Sequence, residues 1–374
     1  MYLDNAATTS ILPETWEVMH RYGSEIFYNP SALYAGAVSA SKALNEARKQ
    51  IARMMGTDAQ NLVLTACGTE SDNAAILCTR KHKGRVIISA TEHAAVWNSA
   101  RALAERGWEV SVCPVDAHGR VDEEAYRRLL GSDVALISIM HVNNETGAVN
   151  DIRRLVALAK ETDKNILFHS DGVQALGHIK VNVRSLGVDA YSVSGHKIGA
   201  PKGVGLLYMS HSVSMQPALY GGGQERGLRS GTENVMGMAA MEVCLRRYLA
   251  AMGDLQAKGR ALREAAEAFC ATHDEVRIVS PEDGAPHILM LSMRKVRGEV
   301  MMHALEQYGI IVGVGSACST KKGTPRIPKA LGLPDGYEQG MLRISINPFD
   351  EYDFGFLFEK MHSEYEKLSK YMRV

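Results

Sequence analysis

Through the middle of the chain, short unbroken apolar runs alternate with stretches in which apolar residues recur every three or four positions. The runs at 61–66, 85–90, 134–140, 165–168 and 188–193 read as strands. The stretches at 71–81, 96–106 and 151–162 read as helices between them. The 134–140 run is almost wholly apolar, as expected for a strand covered on both faces. This alternation predicts an α/β fold with a mostly parallel sheet. Residues 234–273 carry one long helical pattern rich in Ala, Met, Glu and Arg. Beyond it lie a strand at 288–292, a helix at 299–308, a strand at 310–314, a loop at 315–329, a strand at 341–346 and a closing amphipathic helix at 354–371. A large α/β domain to about residue 255 and a smaller α+β domain after it follow from the change of pattern.

Composition narrows the class. The chain has 374 residues, 46% hydrophobic and 22% charged, which is ordinary for a globular protein and ample for a core. Forty-two Lys and Arg balance forty-two Asp and Glu. No net field therefore steers the molecule to nucleic acid or to an anionic membrane, and no direct contact with either is expected. No apolar run is long enough to cross a bilayer, and Asp4 with no basic stretch before it argues against a signal peptide. Six cysteines without C-x-x-C spacing exclude a disulfide scaffold and point to free thiols in a reducing cytoplasm, with no resident metal.

Several polar groups fall where strands end, the place at which open α/β sheets gather ligands. Asp171 follows the 165–168 run and Lys197 follows the 188–193 run. Pyridoxal phosphate needs such a pair, an amine for its Schiff base and a carboxylate for its ring nitrogen. Either residue alone reads equally as a turn aspartate or a solvated lysine; with Ser194 and His196 as phosphate contacts the cofactor reading gains. Ala66-Cys67-Gly68-Thr69 opens a helix whose free amides suit a phosphate, although Thr69 and Asp72 also match a plain capping box. His93 is placed to stack on a ring or move protons, or is merely structural. Asn143-Asn144-Glu145-Thr146-Gly147 also reads as an ordinary turn. Cys78, Cys113 and Cys244 read as inert core thiols, whereas Cys318 lies in a Gly- and Ser-rich stretch beside Lys321 and Lys322, where a thiolate is favoured.

Taken together, these segments resemble the pyridoxal-phosphate-dependent cysteine desulfurases of the branch that supplies sulfur for iron–sulfur clusters and tRNA thiolation. The resemblance runs from Tyr2-Leu3-Asp4-Asn5-Ala6-Ala7 to Arg343-Ile344-Ser345. It rests on Thr91-Glu92-His93, His141-Val142-Asn143-Asn144, Asp171-Gly172-Val173-Gln174, Ser194-Gly195-His196-Lys197, Arg229-Ser230-Gly231-Thr232 and Gly315-Ser316-Ala317-Cys318. It implies a fold-type I transferase with a seven-stranded sheet, residues 14–255 forming the large domain and residues 1–13 with 256–374 the small one. It also implies that Lys197 holds the cofactor, Asp171 meets the pyridine nitrogen, Gln174 the ring hydroxyl, and His93 the ring face. Gly68, Thr69, Ser194 and His196 would hold the phosphate, with Thr232 arriving from the other subunit of a homodimer. Asn144 and Arg343 would bind the amino-acid end of L-cysteine. Cys318 would take the sulfur as a persulfide, touching a cluster only transiently while passing it to an acceptor protein. A selenocysteine lyase or related β-lyase of the same fold, and a non-catalytic sulfur-transfer scaffold, are the alternatives. Three positions depart from the family pattern: Cys67 stands for a usual glycine, Tyr34 for a common histidine, and residues 321–328 are more basic than is usual.

Overall fold

The computed structural model describes residues 1–78, 84–211, 213–315 and 326–371. The chain opens with β1 (Tyr2–Leu3), α1 (Thr15–His20) and the long α2 (Ala35–Met55). A regular alternation follows: β2 (Leu62–Thr65), α3 (Gly68–Leu77), β3 (Arg85–Ser89), α4 (Ala94–Glu105), β4 (Glu109–Cys113), α5 (Glu123–Leu129), β5 (Val134–Ser138), α6 (Ile152–Thr162), β6 (Leu167–Asp171), the short α7 (Val183–Leu186), β7 (Ala190–Ser194) and β8 (Gly205–Met209). These seven strands form one sheet in the order β2-β8-β7-β6-β5-β3-β4. Only β8 runs against its neighbours, so the other six point the same way and their carboxyl ends share one edge. β5 and β7 are buried at every position, because helices cover both faces of the sheet.

The second half is built differently. Helices α8 (Val235–Ala250) and α9 (Met252–Cys270) lead into β9 (Val276–Ile278), β10 (Ile288–Met293), α10 (Gly298–Glu306), β11 (Ile311–Val312), α11 (Arg326–Ala330), β12 (Met341–Ser345) and α12 (Phe354–Leu368). β12, β10 and β9 make an antiparallel three-stranded sheet. β1 pairs in parallel with β11, and Asp4 bridges to Ser345, so the first residues lie against this part of the molecule. Leu3 accordingly packs in an apolar core with Leu291, Leu342 and Leu357, separate from the core around Ile137, Phe168 and Tyr191. No helix among the described residues is long and apolar enough to cross a membrane.

Several expectations need correction. The strand expected at 165–168 runs on to Asp171, because His169, Ser170 and Asp171 pair with β7 and are buried despite being polar. The single pattern at 234–273 is two helices that meet at Ala251, whose φ of −95° and ψ of 11° end one and start the other. The end of the expected 315–329 loop is the helix α11; its Arg326 donates to the carbonyls of Ala90 and Glu92 and lies 4.2 Å over the Trp97 ring. The 316–325 part, with Cys318, Lys321 and Lys322, lies outside the described residues. Cys78 is half-buried at the end of α3 rather than inside a helix. Burial pushes the thiols of Cys113 and Cys244 up to about 12, which suppresses the thiolate and suits inert core positions.

Candidate active site

At the shared carboxyl edge of the parallel strands lies a cavity of about 360 Å³. Five of the six parallel strands deliver residues to it where their ladders end: Cys67 and Gly68 after β2, His93 after β3, Asn144 after β5, Asp171 at the tip of β6, and Ser194, His196 and Lys197 from β7, whereas the edge strand β4 delivers none. Ten of the residues expected from sequence line it: Gly68, Thr69, His93, Asn144, Asp171, Gln174, Ser194, His196, Lys197 and Arg343. Thr232 does not, and Cys318 lies outside the described residues. A larger groove of about 810 Å³ between α6, α9 and residues 281–286 holds none of the expected residues.

One end of the cavity is made for an anion. α3 starts at Gly68 with its first amides unpaired by any capping side chain. The capping box expected of Thr69 and Asp72 is absent, since both already lie inside the helix; Glu70 instead reaches back to accept from the Ala66 amide at 2.7 Å and is itself held by Arg229 at 2.8 Å. A Cβ at Gly68 would come within 2.6 Å of a Val173 methyl, so the helix can start this close to the cavity only with glycine. The Ser194 hydroxyl is buried without a hydrogen-bond partner, an expensive state that a ligand oxygen would relieve. Beside it, His196 is pushed down to about 4 by burial and by Lys197, so it serves as a neutral donor or acceptor.

The floor carries the charged groups. One oxygen each of Asp72 and Asp171 and one ring nitrogen of His93 lie within 4.8 Å of one another. Burial pushes the Asp171 carboxyl upward; a cationic ring nitrogen placed against it would reverse that shift. Behind it, Asp72 is raised well above its ordinary range by burial and by Asp171; its Oδ1 accepts no hydrogen bond and lies 3.6 Å from His169 Nε2. His93 caps α4, its Nδ1 accepting the Ala95 amide at 3.1 Å, which turns the exposed ring toward the cavity it lines. Lys197 is pulled down to about 8, chiefly by burial and then by Arg343. Its Nζ donates to the carbonyls of Ala6 and Ala7 at 2.7 and 2.6 Å.

The far wall comes from the other half of the chain. Arg343 of β12 donates to the Asn144 carbonyl at 2.7 Å and to the Asp4 carboxylate at 2.8 Å, while its Nε has no partner. Asn144 Oδ1 is likewise buried and unpartnered. These two idle polar groups, adjacent and opposite in hydrogen-bonding sense, can take the carboxylate and amine of an amino acid. Sequence reading missed the roles of Asp4, Ala6, Ala7 and Asp72. The Tyr2–Thr9 segment was a visible signal, but backbone carbonyls carry no side-chain signature.

The comparisons agree with this geometry. Residues 1–352 match the family model "Aminotransferase class-V". A cysteine desulfurase of Trichormus azollae is 35% identical over 357 residues, covering 92% of this chain and 88% of the relative. The cysteine desulfurase NifS of Azotobacter vinelandii is 35% identical over 356 residues, 93% of this chain and 88% of its own. A solved NifS-like protein superposes with a TM-score of 0.91 at 30% identity over 98% of this chain and all of the other. A fold-type I architecture, a site at the strand ends and a family match over nearly the whole length agree: the chain belongs to the class-V aminotransferase family.

Proposed function

We propose that the protein is a cysteine desulfurase that uses pyridoxal phosphate to take sulfur from L-cysteine, releasing L-alanine and leaving a persulfide on Cys318. The observation that carries this reading is the convergence of Lys197, Asp171 and an uncapped helix start with the unpartnered Ser194 hydroxyl in one cavity. Pyridoxal phosphate, the cofactor of this family, fits the donor set: amides of Gly68 and Thr69 with Ser194 and His196 for the phosphate, Asp171 for the ring nitrogen, Gln174 for the ring hydroxyl and His93 for the ring face. When bound, it supplies a carbon that condenses with amines and a ring that withdraws electrons.

The chain's own residues do the rest. Arg343 and Asn144 hold the substrate's carboxylate and amine and so orient the bond to be broken. Lys197, with its amine near neutrality, takes the proton from the substrate's α-carbon and returns one toward the product. Asp171 stays ionised against the ring nitrogen and keeps it protonated. Cys318 attacks the substrate sulfur; the carbon–sulfur bond breaks and alanine leaves. An acceptor protein of cluster assembly or tRNA thiolation then removes the persulfide sulfur, which requires a reducing compartment such as the cytoplasm.

A homodimer belongs to the same proposal. Trp16, Phe27, Leu33 and Tyr34 are 57, 62, 97 and 55% exposed, and Tyr220 is 82% exposed. Phe27 stacks on Tyr28 and Tyr28 meets Tyr34 edge-on, so part of this apolar surface is one patch, which a second copy would cover while bringing in its Thr232. The division into residues 14–255 and residues 1–13 with 256–374 is proposed with it, on the strength of the two apolar cores.

Alanine release from L-cysteine tests the reading. Cys318→Ala should keep the yellow cofactor band and make no alanine, and Lys197→Ala should lose the lysine-linked band that borohydride traps. Undiminished turnover by Cys318→Ala would move the nucleophile, with Cys67 of the cavity wall next in line.

A further inference from the structure

Under the cavity floor lie two buried histidines that the proposed reaction does not use. His178 follows the β6 turn and His287 immediately precedes β10; they are 3% and 1% exposed. Their rings stack with centroids 3.8 Å apart at an interplanar angle of 16°. Burial pushes His178 down to about 3, and burial, His178, Arg343 and Lys197 together hold His287 well below its ordinary range, so both rings are neutral. The Nδ1 atoms of both have no partner.

Among the described residues the His287 ring makes one hydrogen-bond contact, and it leads to the cavity. Its Nε2 lies 3.2 Å from Gln174 Oε1, while Gln174 Nε2 donates to the Ala6 carbonyl at 2.8 Å. The Ala6 carbonyl only accepts, so the amide nitrogen must face it and the amide oxygen must face His287. A neutral His287 therefore carries its proton on Nε2, and the unpartnered Nδ1 is a lone pair. The same Ala6 carbonyl also accepts from Lys197. One chain of contacts thus runs from the three-stranded sheet through His287, Gln174 and Ala6 to Lys197.

We propose that His287 is a positioning residue that locks the Gln174 amide with one N–H on Ala6 and the other left for the cofactor's ring oxygen. This rests on the cofactor-binding role proposed above for Gln174. Without the Nε2 donor, nothing among the described residues holds the amide oxygen, and the amide can flip, presenting oxygen to oxygen. Loss of an N–H donor disfavours the ionised ring oxygen.

The test uses the full-length enzyme loaded with pyridoxal phosphate. His287→Phe keeps the ring stack and deletes the donor; His287→Gln restores a donor at about the Nε2 position. The pH midpoint of the cofactor's visible absorbance should rise by roughly half to one unit in His287→Phe, because one hydrogen bond is at stake. The dissociation constant for pyridoxal phosphate should rise by about 3- to 10-fold. His287→Gln should stay near wild type on both readings, and in a Gln174→Leu background His287→Phe should change neither further. His287→Leu, read the same way, serves if His287→Phe does not fold. A purely structural histidine would lower the melting temperature and leave the absorbance titration unmoved. A wild type that loads normally, with His287→Phe and His287→Leu titrating like it, overturns the His287 assignment alone. A wild type that takes up no pyridoxal phosphate overturns both this proposal and the functional reading beneath it.

Discussion

The two halves of the site are built on opposite principles. The seven-stranded sheet presents reactive side chains at the ends of parallel strands, each placed by its own short strand-to-helix turn. The three-stranded sheet with the β1 segment presents mostly restraints: the Ala6 and Ala7 carbonyls on Lys197, Asp4 on Arg343 and His287 on Gln174. A parallel sheet supplies many independent positions along one edge, which suits chemistry that needs several groups at once. An antiparallel sheet laid against that edge supplies long-range contacts, which suit orientation and closure.

The contrast predicts that changes on the large-sheet side lower turnover and changes on the other side weaken binding. The largest effect is expected for Asp171→Asn, which keeps the acceptor for the Val173 amide but not the charge. Its kcat should fall by about 10²- to 10⁴-fold with little change in KM for cysteine. A comparable rise in KM instead would erase the contrast. Arg343→Leu removes the partner of Asp4 and the group proposed to hold the substrate carboxylate. It should cost about 30-fold or more in kcat/KM, chiefly through KM; a pure kcat defect would place Arg343 among the reacting groups.

Loading of the cofactor sharpens the same division. Condensation needs the free amine of Lys197, which burial holds near 8 in the protein without cofactor. An amine is protonated below its pKa, so the rate of band formation by cofactor-free protein should climb about tenfold per unit below pH 8 and level off above it. A rate that keeps climbing to pH 10 would mean that burial does not depress this lysine. The smallest effect is expected for Cys67→Gly. Cys67 has φ of −172° and ψ of 172°, extended backbone open to any residue, so cysteine there costs the turn nothing. Cofactor affinity should stay within about twofold of wild type.

The strand-end residues were legible because β2, β3 and β5 are mainly apolar runs, β6 and β7 carry shorter ones, and the turns after them are polar. The strand boundaries at β3 and β5 follow those runs closely. α2 is not among the expected elements although its buried Ala37, Ala40, Leu44, Ala47, Ile51 and Met55 recur at helical spacing; only its alanine-rich first half is a weak apolar stripe. β8 is not among the expected elements although residues 204–209 are an unbroken apolar run; what nothing local announces is its antiparallel return between β7 and β2. Polarity alone puts Asp171 beyond its strand, whereas in the fold it is buried at the strand tip, lining the cavity with Oδ1 on the Val173 amide.

What is local along the chain was therefore decided by the sequence: apolar runs make strands, glycine permits the α3 start, and residue type settles which groups can be base, anchor or anion cradle. The family pattern of Lys197, Asp171 and Cys318 belongs to that level. Tertiary structure alone decided the state of those groups. The pKa of Lys197 depends on burial and on Arg343, 146 positions away along the chain, and the orientation of the Gln174 amide depends on Ala6 and His287. Desolvation and hydrogen-bond direction arise from what surrounds a group in space, and neighbours so distant in the chain leave no trace in local pattern.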